Sequence, residues 1–261
     1  METSRAILFA KSDHVGTITF NRPKANSYES NFMRQFNEVI DAASADDDVH
    51  VVIVRSALER FFSGGADIQV FAKNSPEANK QMVSLARQAL RKIEASGKVF
   101  IAALNGHTLG GGLEIAMACD LRFGGDGSYL IGLPEVKLGL MPGNGGSQRL
   151  SRIVGVAKAI ELAITGDSVM PREAFRMGLL NRLIPGPELA RETEVFAKTL
   201  ASGAPLAMAA IKRSVRDGTA MNLEDGLALE AALVETLYHT ADAREGFVAY
   251  TEKRPPLFQG H

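Results

Sequence analysis

The sequence predicts an α/β fold with mainly parallel strands, grading into an all-helical C-terminal region. Three observations carry that expectation. Val51-Val52-Ile53-Val54 and Val99–Leu104 are short, wholly apolar runs of the kind buried on both faces of a parallel sheet. Stretches of helical periodicity alternate with them. From residue 205 onward only helical signals remain.

The elements follow in chain order. Ile7–Phe9 and Val15–Phe20 alternate apolar and polar residues, and the second run stops at the turn Asn21-Arg22-Pro23. Phe32, Phe36, Val39, Ile40 and Ala43 fall at helical spacing, which predicts an amphipathic helix over about residues 29–45. The strand Val51–Val54 leads to a predicted loop, Phe62–Gln69. Met82, Leu85, Ala86, Ala89, Leu90 and Ile93 mark the next helix. Val99–Leu104 is followed by Asn105–Leu109 and the triplet Gly110-Gly111-Gly112, then a helix over Leu113–Asp120. Leu121–Phe123 and Tyr129–Ile131 read as further strands. Ile153, Ala157, Ile160 and Ile164 are helical, and Pro171 and Gly178 punctuate a short helix. Pro187–Ser202 and Pro205–Asp217 follow. Asn222 caps a long helix expected to bury Leu223, Leu227, Ala231, Val234 and Tyr238, and Thr240 caps one holding Phe247 and Tyr250. The expected division is a core over 1–204 and a helical region over 205–261.

Composition removes some function classes. The chain has 261 residues, 29 Lys and Arg against 30 Asp and Glu, and a formal net charge of −1. A basic footprint for nucleic acid is not indicated. One cysteine cannot form an intrachain disulfide. No apolar run is long enough for a membrane span. The polar start, Met1 to Arg5, has no leader character, so cytoplasm is the expected location.

Glycines and carboxylates carry the candidate chemistry. Gly64-Gly65-Ala66-Asp67 is either a turn or a loop that turns a free N–H toward a ligand. Gly110-Gly111-Gly112 opens a helix after a strand, where unpaired N–H groups and the helix dipole suit a developing oxyanion. The spacing differs from that of dinucleotide folds. Glu114 sits in the first turn of that apolar helix, and Glu135 follows Pro134 just after a strand. Two carboxyl groups near one set of backbone donors are what general acid–base chemistry needs. His107 and Cys119 are read as packing or turn residues. Asn144 is read as a turn residue, with a hydrogen bond in the site as the alternative.

The run from Ala102 to Leu150 resembles the crotonase, or enoyl-CoA hydratase/isomerase, superfamily. Its matching stretches are Ala103-Leu104-Asn105-Gly106, Gly110–Glu114, Cys119-Asp120, Leu133-Pro134-Glu135, Leu138-Gly139 and Pro142–Leu150. Asn21–Lys24, Phe62–Ile68, Thr165-Gly166, Arg244–Phe247 and Glu252–Arg254 extend the likeness over nearly the whole chain.

The resemblance implies a repeated ββα spiral core with C-terminal helices that trimerise, as a homotrimer or a hexamer of two trimers. It implies an acyl-CoA thioester as substrate, with no separate cofactor and no metal. The backbone N–H groups of Ala66 and Gly111 would form the oxyanion hole. Glu114 would activate water and Glu135 would donate a proton, a division the residues alone leave open. Lys24 would lie near the CoA, Ala66, Asp67, Ile68 and Gln69 would line its path, and Lys253 would reach a neighbouring subunit's CoA. Val70–Gln81 would border the acyl tail. Having both glutamates favours hydration over the family's double-bond isomerases, the runner-up. Gln69 departs from the lysine of many relatives, and Asn144 from the commoner alanine.

Overall fold

A computed structural model describes residues 5–261. Apart from Arg5, the polar start of the chain lies outside the described residues. Strands β1 (Ile7–Ser12) and β2 (Val15–Phe20) form an antiparallel hairpin. Its tip, Asp13-His14, has φ of 52° and 61°, the pair of positive angles that a type I′ hairpin turn requires. Helix α1 (Ser30–Ala45) is capped by Glu29, whose carboxylate accepts from the N–H groups of Asn31 and Phe32.

The chain then repeats one motif: a strand in a large sheet, a short strand in a small sheet, then helix. β3 (Val51–Ser56) and β4 (Phe61–Ser63) precede α2 (Ile68–Lys73) and α3 (Pro76–Ala95). β5 (Val99–Leu104) and β6 (His107–Leu109) precede α4 (Gly111–Ala118). β7 (Leu121–Asp126) and β8 (Ile131–Gly132) precede a 3-10 turn at Pro134–Leu138, then α5 (Gly146–Val154) and α6 (Val156–Thr165). β9 (Ser168–Val169), α7 (Pro171–Arg176) and β10 (Arg182–Pro185) follow, then α8 (Leu189–Ala201). The large sheet runs β1-β2-β3-β5-β7-β10 and the small one β4-β6-β8-β9. All pairings from β2 to β10 in the large sheet are parallel. This is the expected ββα spiral.

The large sheet is covered on both faces, which explains its apolar runs. On one face Val52, Val54, Phe100 and Ala102 join the main core with Phe20, Phe32, Phe36 and Phe62. Phe20 meets Phe32 and Phe36 edge-on at ring separations of 5.2 Å. On the other face Val51, Ile53, Ile101 and Phe123 pack against Leu189, Ala197 and Ala201 of α8.

Several expectations are refined. The predicted loop Phe62–Gln69 contains most of β4 and the start of α2, and Asn105–Leu109 contains β6. These strands are three residues long, too short to show a period of two. The helical stretch 153–164 is two helices, broken at Gly155, where φ is +84°.

The C-terminal region comprises α9 (Pro205–Gly218), α10 (Leu223–Tyr238) and α11 (Ala241–Glu252). The face of α10 expected to be buried is open in the single chain: Leu223 is 75% and Tyr238 67% exposed. Apolar spacing identifies a face that seeks cover, but α9 covers too little of it. Phe247 and Tyr250 of α11 are likewise exposed.

Candidate active site

The site begins with the turn after β2. Asn26 is fully buried with φ of 49°. Its side chain accepts from the Arg22 N–H at 2.8 Å and donates to Ser56 Oγ and the Phe62 carbonyl at 2.8 and 3.0 Å. That clamp delivers Tyr28 to the loop after β4. The Tyr28 N–H donates to the Gly65 carbonyl and the Asp67 N–H donates to the Tyr28 carbonyl, each at 2.8 Å. In this parallel bridge the Ala66 N–H lies on the edge away from Tyr28.

The glycines allow two loops to meet. Gly65 has φ of +82°, and a Cβ there would lie 2.8 Å from the Leu109 carbonyl oxygen and 2.9 Å from the Gly111 nitrogen. Only glycine permits both the angle and the approach. Gly110, with φ of +54°, donates to the Gly132 carbonyl and turns the chain into α4. Gly111 is the first helical residue, so its N–H lacks an acceptor one turn back. Ala66 and Gly111 therefore present N–H groups from adjacent loops, and both line one cavity of about 290 Å³.

Glu114 and Glu135 line the same cavity. All of α4 is buried, and Glu114 is 1% exposed. Its Oε1 accepts from the N–H groups of Asn144 and Gly146 at 2.7 and 2.8 Å, and its Oε2 from Asn144 Nδ2 at 2.8 Å. Burial pushes its pKa above the ordinary range, with these three donors acting in the opposite direction. Glu135 sits in the 3-10 turn, which ends at Gly139 in the left-handed region. Its Oε2 is buried without a hydrogen-bond partner. Burial, reinforced by the charge of Glu114, pushes its pKa up to about 7. One carboxyl thus accepts three hydrogen bonds, and the other keeps a buried oxygen that accepts none.

The remaining sequence-predicted residues separate into two sets. Ile68 joins the cavity wall, with Phe71, Val83 and Leu138. Phe71 and Ala72, within the 70–81 segment, also line it. Asp67 turns away: it caps α2 and pairs with Arg22 at 2.9 Å. Lys24, Gln69 and Lys253 are exposed and outside the cavity lining. Lys253 ends α11 in a left-handed conformation. His107 opens β6 instead of sitting in a turn, and it is a satisfied histidine as expected, its Nδ1 accepting from the Leu130 N–H. Among the described residues there is no cluster of three or more His, Cys, Asp or Glu side chains that could hold a metal. No helix there is long and apolar enough to cross a membrane. A larger cleft of about 540 Å³ runs between α3, α9 and α10 and contains none of the predicted residues.

Two side chains of the site depart from the favoured sequence reading, Asn144 by bearing out its alternative. Asn144 is no mere turn residue: it is buried and its amide reaches both Glu114 and the hydroxyl of Tyr28, at 2.9 Å. Tyr28 lines the cavity and carried no site expectation at all.

The profile of the family described as enoyl-CoA hydratase/isomerase matches residues 10–261. The chain is 36% identical over 255 residues to the short-chain-enoyl-CoA hydratase of Clostridium acetobutylicum, covering 97% of each. It is 34% identical over 253 residues to the crotonyl-CoA hydratase of Syntrophomonas wolfei, again covering 97% of each. The crystal structure of an enoyl-CoA hydratase from Geobacillus kaustophilus superposes with a TM-score of 0.96 at 41% identity, over 99% of this chain and 98% of that one. On the match of fold, sequence and motif order together, the chain belongs to the enoyl-CoA hydratase/isomerase family.

Proposed function

We propose that this protein is an enoyl-CoA hydratase, adding water across the 2,3 double bond of a short enoyl-CoA thioester to give the 3-hydroxyacyl-CoA. The observation that carries the reading is the convergence of Glu114 and Glu135 on one cavity bordered by the Ala66 and Gly111 N–H groups. The named hydratases at 34–36% identity support it.

The chemistry follows from the asymmetry of the two carboxyls. Three donors orient the oxygens of Glu114 and burial raises its proton affinity, which suits a base that takes a proton from water as the oxygen attacks C3. Electron density moves to the thioester oxygen, where two preformed N–H donors hold the developing charge; one such donor is worth about 10²–10³ in rate. Glu135, held protonated by burial, delivers its proton to C2. Passing the proton gained by Glu114 back to Glu135 through solvent completes the cycle.

Ile68, Phe71, Val83 and Leu138 give the acyl group an apolar wall. We assign exposed Lys24 to the CoA phosphates, Lys253 to the CoA of a neighbouring subunit, Gln69 to the CoA path, and the open faces of α10 and α11 to the seam of a trimer or hexamer. The test is loss of the conjugated-thioester absorbance on adding protein to crotonyl-CoA, with 3-hydroxybutyryl-CoA as product. No loss with crotonyl-CoA, but conversion of a 3-enoyl-CoA to its 2-enoyl isomer, would replace hydration by isomerisation.

A further inference from the structure

The amide of Asn144 has two protons, and both are spent. One goes to Glu114 Oε2 at 2.8 Å and the other to the Tyr28 hydroxyl at 2.9 Å. The carboxylate fixes this orientation, because the amide oxygen turned toward Glu114 would be repelled. Tyr28 therefore accepts from Asn144, and its own proton remains to be donated. No acceptor among the described residues takes it.

The position of that proton is narrowly defined. A Cβ on Gly111 would collide with the Tyr28 hydroxyl and with Cε1. The phenol thus lies against the start of α4, one amide away from Glu114, on the wall of the reaction cavity. Tyr28 is 3% exposed, so bulk water offers little substitute. An unspent donor in such a place is costly until an oxygen arrives to accept from it.

We propose that Tyr28 is a further catalytic residue, donating its phenolic proton as a hydrogen bond to the oxygen that becomes the C3 hydroxyl, and that Asn144 is a positioning residue aligning Tyr28 with Glu114. The identity of that oxygen rests on the hydratase reading. The water gives a proton to Glu114, accepts from Tyr28 and keeps a lone pair for C3. Burial, with the nearby carboxylate charges, holds the phenol in its protonated, donating form.

The test separates this idea from the hydratase reading by using binding. Calorimetry compares butyryl-CoA with each enantiomer of 3-hydroxybutyryl-CoA on an E135Q background, with and without Y28F. The expected result is a preference for one hydroxylated enantiomer that falls roughly 3- to 10-fold in Y28F, the value of one neutral hydrogen bond, while butyryl-CoA binding is unchanged. An unaltered preference, or none to begin with, overturns the proposal even if the wild-type protein hydrates crotonyl-CoA. For Asn144, the readout is the acid limb of kcat/KM against pH. The charged and titratable groups facing Glu114 are Tyr28, Glu135 and Arg149. Removing the Asn144 amide in N144A, or in N144S should the first fail to fold, takes a donor from the carboxylate and moves that limb to higher pH. A stationary limb sinks the positioning role.

Discussion

Arg149 Nη1 donates to the carbonyl of Asn144 at 2.6 Å, while its Nε and Nη2 grip the two oxygens of Glu94 at 2.7 and 2.8 Å. Glu94 Oε1 also accepts from Arg216 of α9 at 3.2 Å. A line of charge-assisted contacts thus joins α9 to the loop whose N–H groups hold Glu114. R149M is expected to lower kcat about tenfold through misplacement of that loop. It should also cost about 2 kcal/mol of stability, the range for hydrogen bonds to charged groups. Kinetics and urea unfolding check both; an unchanged kcat would cut the link between Arg149 and the site.

The pH dependence follows from Glu135. Its folded pKa of about 7 lies above the ordinary 4.5. The protonated acid needed at C2 is lost as pH rises through about 7, so kcat/KM should fall on that side and fall again in acid as Glu114 is protonated. The stability effect has a fixed sign. A raised carboxyl pKa gives stability present below about 4.5 and lost as pH climbs through about 7. E135Q should therefore be more stable than wild type at pH 8, by an amount of order 1 kcal/mol once partial exposure is discounted, with little difference at pH 4. Thermal melts at the two pH values measure this, and a gain at pH 4 alone would contradict the shift.

Gly146→Ala tests the packing under Glu114. A Cβ at Gly146 would lie 2.7 Å from Pro142 Cβ and 2.9 Å from Glu114 Oε1. Overpacking of this kind costs about 1–3 kcal/mol, and the displaced carboxylate should lose at least about tenfold in kcat. Gly97→Ala, whose Cβ would meet only Ala209 Cβ at 3.6 Å, is the tolerated control. Equal behaviour of the two variants would show that the glycine is not needed.

The open faces of α10 and α11 predict association. Light scattering should give three or six copies, and Leu223→Asp with Phe247→Asp should reduce the particle size. A monomeric wild-type protein would leave those faces unexplained.

How much of this was legible in the sequence depends on length scale. β3 and β5 announced themselves because a sheet covered on both faces leaves no polar alternation. β4 and β6 carry three residues each and give no period, and the strand expected at Tyr129–Ile131 overlaps the two-residue β8 only at Ile131. Ala66, Gly111, Glu114 and Glu135 could be named in advance because local glycine and carboxylate patterns, and the family likeness, mark them. The Tyr28–Asn144 contact joins positions 116 apart through side chains whose meeting depends on how two loops pack. Asp67 went the other way: its neighbours line the cavity, but Arg22 and the N–H groups of α2 claim its carboxylate.

The most direct test of hydration by Glu114 and Glu135 is mass spectrometry of crotonyl-CoA turned over in water enriched in oxygen-18 and deuterium. One solvent oxygen at C3 and one solvent deuterium at C2, formed by wild type and suppressed about 10²-fold or more in E114Q and in E135Q, is the expected result. Deuterium without oxygen, or full activity in either variant, would contradict it.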